Sequence, residues 1–235
     1  MEQKFSLRTI LRESLSESID IATVEDISKK VLADVENANG NLIDGWISKK
    51  EHLPFVYIST FHNAAIAVRQ LIDRGANVNV STSTGETPLI RACMQNNLKI
   101  VKLLVEAGAN INARMHSNIN YDKADIFNLD EGGNSALMAA VNNDFGNTAL
   151  VKYLLNNNAD IGIITPYEKR NVLMEYVTNG FNTNESEIIP LLLAHGIDPN
   201  ATDKNGSTAL DLCSGLGFTN FVNVLSNLSA KQNKA

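Results

Sequence analysis

The feature that most constrains this chain is that it repeats itself. The stretch GETPLIRACMQNNLKIVKLLVEAGANINAR, residues 85–114, opens on a polar turn, runs through a short apolar helix and a longer one, and closes at Gly108. The plan returns from Asp203 in DKNGSTALDLCSGLGFTNFVNVL, where Thr208-Ala209-Leu210 stands for Thr87-Pro88-Leu89. It returns again from Asp130 in DEGGNSALMAAVNND, with Ser135-Ala136-Leu137, and more faintly in EKRNVLMEYVTNG, with Asn171-Val172-Leu173. The endings recur as LIDRGANVN at 71–79, LLVEAGANIN at 103–112, LLNNNADIG at 154–162 and LLLAHGIDPN at 191–200. Self-similarity at a spacing of about 33 residues marks a stacked-repeat protein.

One unit explains the pattern physically. Gly85 permits the turn, Thr87 stands where a side-chain oxygen caps a helix, and Pro88 fits the first helical position because it needs no amide bond there. Leu89, Ala92 and Cys93 give the first helix a small apolar face that a neighbour can approach. The second helix carries Leu98, Ile100, Val101, Leu103, Leu104 and Val105, with only Lys99, Lys102 and Glu106 polar. A helix apolar around most of its circumference has to be sandwiched. Gly75, Gly108 and Gly196 fall where the chain must turn left-handed after the second helix. In the third unit Asn158 holds that place, and asparagine is the next residue to tolerate it.

These residues resemble the ankyrin-repeat family. Thr87-Pro88-Leu89-Ile90-Arg91-Ala92 is similar to the family's Thr-Pro-Leu-His-x-Ala, and Ala76-Asn77-Val78-Asn79 and Ala109-Asn110-Ile111-Asn112 to its Ala-Asp-Val-Asn. The resemblance implies an all-α fold, an ankyrin-like solenoid of stacked antiparallel helix pairs with projecting β-turn loops, and five or six units. There are departures. The family's histidine is replaced by Ile90, Met138, Met174 and Asp211, which implies a softer stack, and Lys169 stands where a turn glycine is usual. In the fourth unit Asn184-Glu185-Ser186-Glu187 predicts a fresh capping box, leaving Pro190 early in a shifted helix.

The divisions expected are 51–80, 81–114, 130–164, 165–202 and 203–235 for five repeats, the last with a tail. Residues 115–129 form an inserted loop. Residues 1–50 read as two amphipathic helices followed by a turn-rich stretch with the only tryptophan, Trp46. A polar-faced cap or divergent first repeat fits them, because under fifty residues hold little core alone. A separate element is the alternative.

Chemistry is hard to find. His52, His62, His116 and His195 form no metal-spaced pair, and Cys93 and Cys213 sit on small-residue faces where a thiol packs as a hydrophobe. No GxSxG, GxxxxGK[ST] or GxGxxG is present. The reading is therefore no enzyme, no cofactor and no metal. A formal charge of -6 disfavours a nucleic-acid partner, and no apolar run approaches a membrane span. Two cysteines and no secretory signal fit a cytoplasmic protein, and the Asn- and Lys-rich composition suits a bacterium. Monomeric behaviour is expected.

What remains is surface. By resemblance, ankyrin proteins bind other proteins through the concave face lined by turns and first helices. The residues read as available there are Glu86, Met94 and Gln95; Glu131, Asn142 and Asn143; and Arg170, Thr178 and Asn179, with Tyr167, Glu168, Lys204 and Asn205 at further turn positions. The loop 115–129 interrupts the period and offers Tyr121 and Phe127 as anchors beside Asp122 and Asp125, which favours a partner carrying basic residues. Its alternative is a tolerated insertion folded on its own stack. The function expected is a non-enzymatic protein-interaction module, acting as scaffold, adaptor or inhibitor. A bacterial effector using the same surface on a host protein is the alternative, with delivery into a host cell, and an enzyme assembled across repeats stands third.

Overall fold

The computed structural model describes residues 56, 59–60, 63–73, 75–82, 84–115, 134–142, 147–178 and 187–232. Among them lie α1 (Ala65–Asp73), α2 (Pro88–Met94), α3 (Leu98–Glu106), α4 (Ala136–Val141), α5 (Thr148–Asn156), α6 (Val172–Thr178), α7 (Ile188–Ala194), α8 (Ala209–Gly215) and α9 (Thr219–Gln232). No strand occurs among the described residues, only two isolated antiparallel bridges, Arg114 with Ser135 and Ile164 with Asn171. The all-α class expected of the repeats holds. The chain divides into two compact units, Met1–Asn110 and Ile111–Ala235.

In the first unit, Thr82 builds the turn that launches α2. Its amide donates to the Glu86 carbonyl at 3.0 Å and its hydroxyl accepts from the Glu86 amide at 3.1 Å. Gly85, at φ +78°, supplies the left-handed step. Thr87 then caps α2, accepting from the Ile90 amide at 3.2 Å, with Pro88 at the first position. Asn97 caps α3 through the Ile100 amide at 3.1 Å. α3 packs against both α1 and α2, burying Ile100, Val101, Leu103 and Leu104. Asn79 clamps the stack from the side. Its carbonyl oxygen accepts from the Asn110 amide at 2.7 Å and its amide donates to the Gly108 carbonyl at 3.1 Å.

The second unit repeats the plan in two rows. First helices α4, α6 and α8 pack in succession, as do second helices α5, α7 and α9, with α4 against α5 and α8 against α9. Ser135, Asn171 and Thr208 cap the first helices. Asn112 repeats the clamp, taking the Asp160 amide at 2.8 Å and giving to the Asn158 carbonyl at 3.2 Å. Where the family carries histidine, Ile90, Met138 and Met174 are fully buried. Asp211 instead closes a capping box with Thr208. Apolar burial replaces hydrogen bonding at three of these positions.

Second helices end as expected. The Ala109 amide donates to the Leu104 carbonyl at 2.9 Å and the Gly108 amide to that of Val105 at 3.0 Å, the pairing of a Schellman motif. Leu71, Leu154 and Leu192 accept the long bond in the same way from Ala76, Ala159 and Ile197. Asn158 is left-handed at φ +64°. First helices close on the same motif at Asn63, Asn96 and Gly217, which the sequence reading did not mark. The capping box expected at 184–187 turns on residues 184–186 as well as Glu187. Glu187 is the N-cap of α7 with no side-chain bond to it, while residues 184–186 lie outside the described residues. Pro190 does fall in the first turn of that helix.

A β-carbon at Gly108 would meet nothing within 4 Å, so its left-handed backbone alone sets the cost of adding one. Gly108→Ala should destabilise by about 1 kcal/mol, read as a lowered urea midpoint. Asn158→Gly should be neutral or slightly stabilising. An unmoved midpoint for Gly108→Ala contradicts the role assigned to the turn.

Candidate protein-interaction surface

The turns of the second unit are bonded edge to edge. The Arg114 guanidinium donates to the Ile164 carbonyl at 2.8 Å, and the Met115 amide to the Asn134 carbonyl at 3.1 Å. The two flanks of the inserted segment are thus tied together. Thr165 closes the next turn as Thr82 does, accepting the Arg170 amide at 3.0 Å while its own amide donates to the Arg170 carbonyl at 2.8 Å. From Thr165 to the cap Asn171 this turn is one residue longer than from Thr82 to Thr87. Lys169 takes the left-handed place at φ +58°. The last turn is closed by Asp203, whose carboxylate accepts from the amides of Asn205 at 2.8 Å and Ser207 at 2.9 Å. The Lys204 amide donates to the Glu168 carbonyl at 2.9 Å, joining the two turns through the backbone.

Side chains extend this edge into a charged cluster. The Lys204 ammonium donates to Glu168 at 2.6 Å and lies 3.4 Å from the centre of the Tyr167 ring. Arg170 stands 3.9 Å from both Glu168 and Glu175, close enough for attraction but not for hydrogen bonds. Its Nε is buried without a hydrogen-bond partner, as is Oδ2 of Asp203. The Ser207 amide holds the Asp203 carboxyl below its usual range against the opposing effect of burial, assisted by Asn205 and the charge of Arg170. The hydrogen bond to Glu168 raises the Lys204 ammonium. Tyr167 and Ile164 remain 54% and 43% exposed.

The sequence-predicted residues divide into four groups. Asn142 and Arg170 meet through Glu175, whose carboxylate accepts from Asn142 at 3.3 Å. Thr178 joins the same helix end, donating to the Glu175 carbonyl at 3.1 Å. Met94 and Gln95 are half-buried at the end of α2. Tyr121, Asp122, Asp125, Phe127, Glu131, Asn143 and Asn179 lie outside the described residues. Glu86 needs correcting as a solvated residue available for contact. It is 5% exposed, paired with Nε of Arg91 and bonded to Nη2 at 2.7 Å, so it joins a turn to its helix. Glu175 is the residue the sequence reading passed over. Its signal was a single carboxylate within the otherwise apolar helix VLMEYVT.

Other chemistry finds little support in these residues. Among the described residues no group of three or more His, Cys, Asp and Glu side chains could hold a metal ion. Burial alone pushes the Cys93 thiol far up, and chiefly burial raises that of Cys213, so both sit as poor nucleophiles. His195 is exposed, with Nδ1 2.9 Å from the Leu191 carbonyl oxygen. No described helix is long and apolar enough to cross a membrane.

Comparison with known proteins agrees with the geometry. The family profile described as "Ankyrin repeats (3 copies)" matches residues 25–115 and 137–235. The ankyrin repeat protein YahD of Escherichia coli K12 is 25% identical over 171 residues, covering 72% of this chain and 77% of that protein. The B-cell lymphoma 3 protein homolog of Mus musculus is 31% identical over 130 residues, covering 55% of this chain and 25% of its own length. The ankyrin repeat protein L371 of Acanthamoeba polyphaga mimivirus is 28% identical over 171 residues, or 71% and 19% of the two chains. Ankyrin repeats are generally protein-interaction modules and typically lack catalysis of their own. With its capped helix pairs, left-handed endings and asparagine clamps, and with that profile matching most of its length, the chain belongs to the ankyrin-repeat family.

Proposed function

We propose that this chain is a non-enzymatic scaffold, adaptor or inhibitor that binds a protein partner through its turn edge, the ends of its first helices and the inserted loop 115–129. The observation that carries the reading is the edge of the second unit. Ile164 and Tyr167 are held exposed on turns whose backbones are bonded to one another. Large exposed apolar side chains on a rigid support, with polar groups around them, are the composition of contact surfaces. A ladder of turns also presents them with little ordering entropy left to lose on binding.

The test is affinity capture from source lysate followed by mass spectrometry, run in parallel with Tyr167→Ala and with Tyr121→Ala plus Phe127→Ala. A partner held by the native chain should be lost by at least one variant, with affinity lowered by about 2 kcal/mol or more for an anchor residue. Thermal stability should barely change. A partner retained equally by all variants removes these positions from the interface.

A further inference from the structure

Resting on the interaction-module reading above, we infer that the turn edge of the second unit receives an acidic segment of its protein partner, carboxylates set beside an apolar side chain. The chain carries a formal charge of -6, yet the turn around Tyr167 is flanked by exposed cations. The carboxylates nearest Arg170 are engaged, while Asp198 and Asp211 lie exposed further along the edge. The Glu168 side chain is 16% exposed and held by Lys204, that of Glu175 is 12% exposed and bonded by Asn142, and Asp203 is buried in its own turn. Its cationic groups stand outward. Lys169 and Arg114 are exposed, and the side chains of Lys204 and Arg170 are 31% and 24% exposed.

Arg170 decides the sign. Its terminal nitrogens are attracted to two carboxylates yet form a hydrogen bond with neither, while its Nε is buried. A planar fork with donors to spare is suited to a further carboxylate. A basic segment would instead have to take Glu168 from Lys204, at 2.6 Å, or Glu175 from Asn142. Tyr167 and Ile164 supply the apolar part of the same footprint. The basic partner expected from the sequence rested on Asp122 and Asp125 of the loop with Asp130 and Glu131 following, and these four lie outside the described residues.

The test uses fluorescence anisotropy on the full chain with two labelled synthetic peptides of equal length. One alternates glutamate with leucine and phenylalanine, and the other replaces each glutamate with lysine. The acidic peptide should bind about tenfold tighter or better, with affinity falling as salt rises, because the contacts are charge-complementary. Lys169→Glu combined with Lys204→Glu, and separately Tyr167→Ala, should each weaken it about tenfold, while Lys99→Glu on α3 leaves it unchanged. Thermal unfolding of each variant controls for folding, and Tyr167→Ala keeps the test independent of the altered charges. No binding of the acidic peptide, tighter binding of the basic one, or indifference to both variants overturns the inference. If the basic peptide alone displaces a partner captured from lysate, the module reading stands and the acidic assignment falls. If lysate yields no partner and neither peptide binds, both fall.

Discussion

Leu104→Ala should lower the stability of the first unit by about 2–5 kcal/mol, the cost of a fully buried leucine removed from a site that cannot collapse around it. Leu104 lies on α3 between α1 and α2, with no exposed surface. Its side chain is fully buried on a helix packed against two others, and its carbonyl accepts the long bond that ends the helix. Val105, one position on, is half-buried, so Val105→Ala should cost roughly 1 kcal/mol or less. Domains rarely hold more than about 5–15 kcal/mol in total, so the first change takes a large share and the second does not. Denaturant titration of both variants checks the contrast. Equal losses would mean that α3 is not packed between neighbours as described.

The burial of α3 was legible in the sequence because the helix is apolar around most of its circumference, but that reading did not separate Leu104 from Val105. Such a helix has one physical solution, burial between others, and repetition supplies those others. The turn signals were equally direct. Gly108 and Asn158 mark left-handed endings because few residues accept that backbone, and Thr87 and Ser135 mark helix starts because a short oxygen-bearing side chain reaches an unpaired amide. Asn96 was passed over, although asparagine there has the same backbone reason as at Asn158. Position 211 was read only as a missing histidine. The Thr208-Ala209-Leu210-Asp211 spacing also spells a capping box, so a local motif was hidden by comparison with a family pattern.

The site was less legible, because position along a repeat says where a residue stands and not what it meets. Asn142 was picked as a first-helix end and Arg170 as a turn position of the next unit, and the structure does connect them. The connection runs through Glu175, on a helix whose neighbours in sequence are apolar. Contacts between residues some thirty positions apart leave no local signal. The longer turn at Thr165–Asn171 is visible in residue spacing, yet that Tyr167 lies against Lys204 depends on how the next turn packs beside it. Glu86 shows the same limit from the other side. Polar and in a turn, it had every sequence mark of a solvated residue, and its burial depends on Arg91 folding back from α2.

That burial makes Glu86→Ala a sharp test of which role the residue has. A surface ion pair contributes about 0–1 kcal/mol, and a residue held outward for a partner contributes nothing to folding. Glu86 is 5% exposed and takes contacts from both Nε and Nη2 of Arg91, whose side chain is a quarter exposed. Removing the carboxylate takes away its charge-assisted contacts with a partly desolvated guanidinium. The expected loss is about 2 kcal/mol, below the 3–5 kcal/mol of a wholly buried pair because Arg91 still meets water. Arg91→Ala should cost at least as much, since it strands the more deeply buried partner. The double variant should cost less than the two together, with a coupling of about 1 kcal/mol or more. High salt separates this pair from a surface one. Coupling between Glu86 and Arg91 should survive it, whereas that between Glu168 and the exposed Lys204 should fade. If Glu86→Ala leaves the urea midpoint where it was, the residue is not holding its turn, and its place among the contact residues is restored.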